Sequence, residues 1–111
     1  MKLAILNTSI LTNFGSFSYK QIDLPSAISA VQIDGFASDG ILSAVGHEST
    51  AAILTDLLGV EIPVNRIQFA QEVGQKALVF KLKGRAPEGK ILSREEIEEI
   101  GYEFGLLTRL N

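Results

Sequence analysis

The chain has 111 residues, 46% of them hydrophobic and 21% charged, with ten Lys/Arg against thirteen Asp/Glu for a net charge of −3. Those values describe one ordinary globular domain and exclude a disordered chain; the acidic balance provides no global field for duplex DNA or long RNA, so any nucleic-acid ligand must be small and held locally. No apolar run approaches the ~20 residues of a membrane span, no leader with an extended apolar stretch is visible, and the lack of cysteine beside a single histidine argues against disulfides, thiolate chemistry and a zinc site. The expectation is a cytoplasmic protein that uses no metal or other cofactor and has no membrane partner.

Lys2 to Leu6 is too short for a helix and apolar almost throughout, and it stops at Asn7-Thr8-Ser9, which predicts a buried strand ending in a loop. Turn-forming residues from Thr12 to Ser16 lead into a second strand over Ser18 to Ile22. Asp23 and Pro25 announce a helix whose Leu24, Ala27, Ile28 and Val31 fall at offsets 0, 3, 4 and 7, one apolar stripe. Asp34-Gly35 and Asp39-Gly40 bracket a loop before a strand over Ile41 to Val45. That strand runs through Gly46 into a helix that begins near His47, buries Ile53, Leu54, Leu57 and Leu58 on one face, and ends at Gly59. After Pro63, Arg66 to Glu72 is expected to pair with Lys76 to Lys83 as a hairpin turning at Val73-Gly74. Leu78, Phe80 and Leu82 would face one side of that sheet and Val79, Lys81 and Lys83 the other. Gly84 to Gly89 is a charged loop, Ser93 and Glu96 make a capping box for a short acidic helix, and Phe104 to Leu110 supplies a last strand. The fold class is α/β (α+β): one domain over residues 1–111, a mixed sheet of about five to six strands flanked by helices.

The stretch most suited to chemistry is Val45-Gly46-His47-Glu48-Ser49-Thr50, a strand-to-helix junction that carries the chain's single histidine. The free N–H groups of a helix's first turn and the positive end of its dipole make such a junction an anion cradle. A phosphate bound there would stabilise imidazolium, which suits a general acid. The plain alternative is a solvated or core-satisfied histidine. Arg85 and Glu88, three apart in a glycine-bounded loop, read either as a soluble surface turn or as a lid in which Arg85 clamps a phosphate and Glu88 orients the histidine or a hydroxyl. Arg66 reads equally as a phosphate ligand or as a charge that protects a sheet edge. Asn7, Thr8 and Ser9 sit where a central strand leaves the sheet, a place ligands often occupy. The residues alone therefore point to a small α/β domain with an anion site at His47, and name no substrate.

Three segments add a family resemblance: the GHEST sequence from Gly46, Val64-Asn65-Arg66, and Arg85-x-x-Glu88-Gly89-Lys90 followed by Ile91-Leu92-Ser93-x-Glu95-Glu96-Ile97. In these, over nearly the whole chain and in order, the sequence resembles the viral ring nucleases. These are small anti-CRISPR enzymes of archaeal viruses and bacterial mobile elements that destroy the cyclic tetra-adenylate messenger of type III CRISPR defence. The resemblance implies a two-fold homodimer with the ring bound at the dimer interface. It puts the catalytic histidine on His47, with Arg85 and Glu88 as its loop partners. It puts ligand contacts at Asn7 and Arg66, with no metal; Thr8 and Ser9 beside Asn7, Gly46 before the histidine and Gly84 before the loop complete the expected substrate-binding set. Archaeal viral members commonly carry Gln where this chain has Gly84, and their first loop differs from Thr8-Ser9-Ile10-Leu11. Two readings compete with an enzyme: a protein that sequesters a cyclic oligonucleotide or another anion, and a small regulator acting through protein interaction.

Overall fold

The computed structural model describes residues 2–8, 15–34, 40–84 and 92–111. Among these residues the strands are β1 (Leu3–Leu6), β2 (Phe17–Ile22), β3 (Ile41–Ser43), β4 (Lys76–Leu82) and β5 (Tyr102–Arg109). The helices are α1 (Leu24–Ser29), α2 (Glu48–Leu58) and α3 (Arg94–Ile100). The strands form one mixed sheet in the order β2-β5-β4-β1-β3. β1 lies parallel to both β3 and β4, while β5 runs antiparallel between β4 and β2. The fold is α+β.

Local chemistry explains where the helices start and stop. Asp23 caps α1 by accepting the Ser26 N–H at 2.9 Å, and Pro25, which has no N–H to satisfy, occupies the first turn. The predicted stripe continues past α1 into a π-helical turn, Ala30–Asp34, which buries Val31. Gly59 closes α2 at φ 73°, where a Cβ would be strained. Gln32 donates to the terminal Leu58 carbonyl at 3.3 Å, so one helix satisfies an orphan acceptor of the next. Ser93 and Glu96 form the expected reciprocal box on α3.

All three helices pack on one face of the sheet. Ile5, Leu78 and Phe80 meet Leu54, Leu58 and Ile97 there, all at 2% exposure or less, and each such burial contributes about 1.5–3 kcal/mol. The opposite face is thinner: Ala4, Leu6, Ala77, Val79 and Leu107 are buried beneath Phe17 and Phe69. Farther along β5, the Tyr19 ring occupies the space over Gly105, where a Cβ would collide with the ring and its hydroxyl. The alternation expected in β4 holds, with Leu78, Phe80 and Leu82 toward the helices and Val79 away from them.

The expected hairpin is overturned. Both edges of β4 are occupied, one by β1 and the other by β5, so no ladder position is left for residues 66–72. The hairpin's second strand stands as β4 and its turn at Val73-Gly74 remains, but its first strand does not form. Residues 61–72 instead run as an irregular strap that starts on the helix side, where Ile62 is buried, and continues over the opposite face, with Phe69 half-buried and Gln71 fully buried. The strap is fastened by side chains in place of a ladder. The Gln71 amide donates to the Gln75 and Leu107 carbonyls, Gln75 donates to the Lys2 carbonyl at 2.9 Å, and Arg109 donates to the Gln71 carbonyl at 2.6 Å. Two smaller differences follow: β3 stops at Ser43, short of Val45, and β5 begins at Tyr102, ahead of Phe104.

Candidate functional site

Because β1, β3 and β4 are parallel, their C-terminal ends share one edge of the sheet. Asn7 and Thr8 leave β1 at the centre of that edge, residues 44–47 leave β3 on one side, and Lys83-Gly84 leave β4 on the other. Loops at the carboxyl ends of parallel strands are where open sheets place ligands, since the backbone there turns from ladder bonds to free groups. Asn7 is half-buried and Thr8 exposed. Gly84 is exposed, and a Cβ on it would lie 3.1 Å from Ile100 Cγ2, so the end of α3 backs this position.

The centre of the arrangement is the turn between β3 and α2. His47 occupies the N-cap position of α2 with extended backbone (φ −122°, ψ 129°), and its carbonyl accepts the Ala51 N–H at 3.0 Å. Its imidazole is exposed and makes no capping hydrogen bond. Capping residues normally give a side-chain oxygen to the N–H of the second or third helical residue. Here an imidazole takes that place and gives the first turn no capping bond, at the positive end of an 11-residue helix. Glu48, in the first turn, adds the single carboxylate recorded there.

Arg66 is brought to the same turn, in a role the sequence alone does not show. Its Nε donates to the Gly46 carbonyl at 2.7 Å, and its stem lies over Gly46 so closely that a Cβ would be 3.3 Å from Arg66 Cγ. Among the described residues no carboxylate pairs with the Arg66 guanidinium. Two residues missed by sequence reasoning support the turn from behind. Asn65 donates to the Ser43 carbonyl at 2.8 Å, and buried Ser43 donates to the Pro63 carbonyl at 2.6 Å while accepting the Val45 N–H at 3.3 Å. The available signal was Asn65 standing directly before Arg66; their partners lie about 20 residues away and leave no local trace.

The structure therefore places His47, Gly46, Arg66, Asn7, Thr8 and Gly84 along one edge. Ser9, Arg85 and Glu88 lie outside the described residues, although Gly84 precedes Arg85 directly in the chain. Among the described residues, His, Cys, Asp and Glu are nowhere grouped in threes as metal ligands would be, and no helix is long and apolar enough to cross a membrane. What the edge offers is an exposed imidazole, a guanidinium and the N-terminal end of a helix, a set suited to an anionic ligand with a bond to a basic leaving group.

A family model described as STIV B116-like matches residues 3–104. The uncharacterized protein YddF of Bacillus subtilis (strain 168) is 37% identical over 112 residues, spanning all of both chains. ORF117 of Acidianus two-tailed virus is 34% identical over 97% of this chain and 93% of its own. Protein 26 of Sulfolobus islandicus filamentous virus reaches 49% over 70 residues, 62% of this chain and 59% of its own. Among solved structures, B116 of Sulfolobus turreted icosahedral virus has the same fold, with a TM-score of 0.82 over 97% of this chain and 99% of that one at 21% identity.

Proposed function

We propose that this chain, which belongs to the STIV B116-like family, is a metal-independent ring nuclease that cuts cyclic tetra-adenylate into linear di-adenylates and so antagonises type III CRISPR defence. The observation that carries this reading is the Gly46–His47 turn: an exposed imidazole in the capping position of α2, on the same edge as Asn7 and beside Arg66. The resemblance of the GHEST and Arg85-x-x-Glu88-Gly89-Lys90 segments to ring nucleases supplies the substrate.

A cyclic RNA brings its own nucleophile. The ribose 2′-oxygen bonds to phosphorus as the phosphorus–5′-oxygen bond breaks, leaving a 2′,3′-cyclic phosphate on one side and a 5′-hydroxyl on the other. Alignment of that oxygen and protonation of the departing one are the two demands on the protein. His47 donates the proton to the 5′-oxygen, contributing on the order of 10²- to 10⁴-fold. Arg85, with Arg66, offsets charge on the phosphoryl oxygens, and the first-turn N–H groups of α2 extend that cradle. Glu88 orients either the imidazole or the 2′-hydroxyl, whose proton passes to a base or to water. A two-fold homodimer would offer two such sets to a ring of matching symmetry, so that cleavage at opposite linkages yields two linear di-adenylates.

The reading predicts that a ring lacking its 2′-hydroxyls binds but is not cut, because the nucleophile is gone while the phosphates remain. Calorimetric binding of the deoxy ring without chromatographic cleavage supports the mechanism. Cleavage of the deoxy ring overturns it.

A further inference from the structure

We infer that Asn65 is a positioning residue for His47, acting together with the Nε of Arg66 through the backbone of residues 43–46. This rests on the ring-nuclease reading of the same site and adds a residue to it. After Ser43 the chain leaves the ladder, and a four-residue segment containing Gly46 connects β3 to α2. Such a segment would be free to swing at the glycine unless its polar groups are held. Two of its carbonyls, with that of Ser43 just before it, are held by two consecutive residues of the strap. Asn65 Nδ2 donates to Ser43 O at 2.8 Å, the Asn65 backbone N–H donates to Val45 O at 2.8 Å, and Arg66 Nε donates to Gly46 O at 2.7 Å. Pro63, two residues earlier, receives the Ser43 hydroxyl, so the strap grips the exit of β3 from both sides. The residue after the last carbonyl held by the strap is His47, whose side chain makes no capping hydrogen bond in α2. Its direction is thus set by the backbone that Asn65 and Arg66 hold. An acid aimed about 1 Å off line loses roughly 10²-fold in rate.

This gives Arg66 a second duty besides phosphate. Its Nε is committed to Gly46 O, leaving the two Nη nitrogens for an anion. Among the described residues Asn65 reaches only backbone, which separates positioning from binding.

The test compares wild type with Asn65→Ala and Asn65→Asp, the second preserving size while replacing the donor with an acceptor that faces Ser43 O. Exposed Val64, replaced by alanine, serves as the control. Steady-state cleavage of cyclic tetra-adenylate is measured beside amide NMR spectra and thermal melts. The expected result is a kcat lower by about 10- to 100-fold with KM changed less than about threefold in both Asn65 variants, amide shifts centred on Gly46 to Ser49, and cooperative melts. Wild-type kcat in the variants, or a raised KM at unchanged kcat, overturns the positioning role and leaves the ring-nuclease reading standing. If wild type does not cut the ring, that reading fails by itself, and the clamp is then decided by the spectra: unchanged Gly46 and His47 amides in the variants overturn it.

Discussion

Replacing Ser43 by alanine tests whether the exit of β3 is built as described. Ser43 is 4% exposed and Val45 is fully buried. The hydroxyl donates to Pro63 O at 2.6 Å and accepts from the Val45 N–H at 3.3 Å. Alanine leaves almost no cavity, so the cost comes from hydrogen bonding alone. Each lost bond is worth about 0.5–1.5 kcal/mol net, the longer one at the low end, and stranding the buried Val45 N–H brings a desolvation penalty toward about 1–3 kcal/mol. Together these give about 2–3 kcal/mol. An unfolding entropy near 2.1 cal/mol/K per residue, over 111 residues, converts this to a fall in Tm of about 9–13 °C. The assay is differential scanning calorimetry at one fixed protein concentration, with a urea titration to show an unchanged m value. A drop below about 3 °C would mean that the strap does not depend on this hydroxyl, and the reasoning about the turn would be wrong.

Other substitutions should separate buried from exposed contributions. Leu54→Ala empties a fully buried site in α2 and should cost about 2–5 kcal/mol by urea unfolding. Asp56→Asn removes an exposed ion pair with Arg94, 3.6 Å long, and should change stability by no more than about 1 kcal/mol in the same assay. At Asp23 the Ser26 hydroxyl, and after it the Ser26 backbone N–H, hold the carboxyl below its ordinary value of 3.8. A depressed carboxylate stabilises above its unfolded value and loses that contribution as pH falls through the folded one. The Tm gap between wild type and Asp23→Ala should therefore be full near neutrality and close as pH drops below about 4; a gap constant from pH 7 to pH 2 would contradict the cap.

What the sequence made legible was local. Asp23 before Pro25, Ser93 three residues before Glu96, and Gly59 after an apolar stripe each act within one helical turn, and each does so in the structure. The junction at His47 was visible for the same reason, since the strand expected over Ile41 to Val45 runs through Gly46 into a helix expected from near His47, and the helix starts at Glu48. The hairpin failed because residues 66–72, placed just before a turn and a strand, bury Phe69 and Gln71 without joining a ladder. Pairing of β1 with β4 joins residues more than 70 apart, and no local signal in 66–72 announces that the place is taken. Arg66 illustrates the same limit at the site: its bond to Gly46 joins a strap to a loop 20 residues earlier, so its double duty shows only once the chain is folded.

The most direct test of the proposed activity is incubation of the purified protein with cyclic tetra-adenylate in excess EDTA beside the His47→Ala variant, with products resolved by chromatography and mass. Conversion to linear di-adenylates by wild type, at least about 100-fold slower in the variant, is the expected result. A ring that stays intact while binding both proteins equally would contradict it, leaving a sequestering protein in which His47 has no part in chemistry.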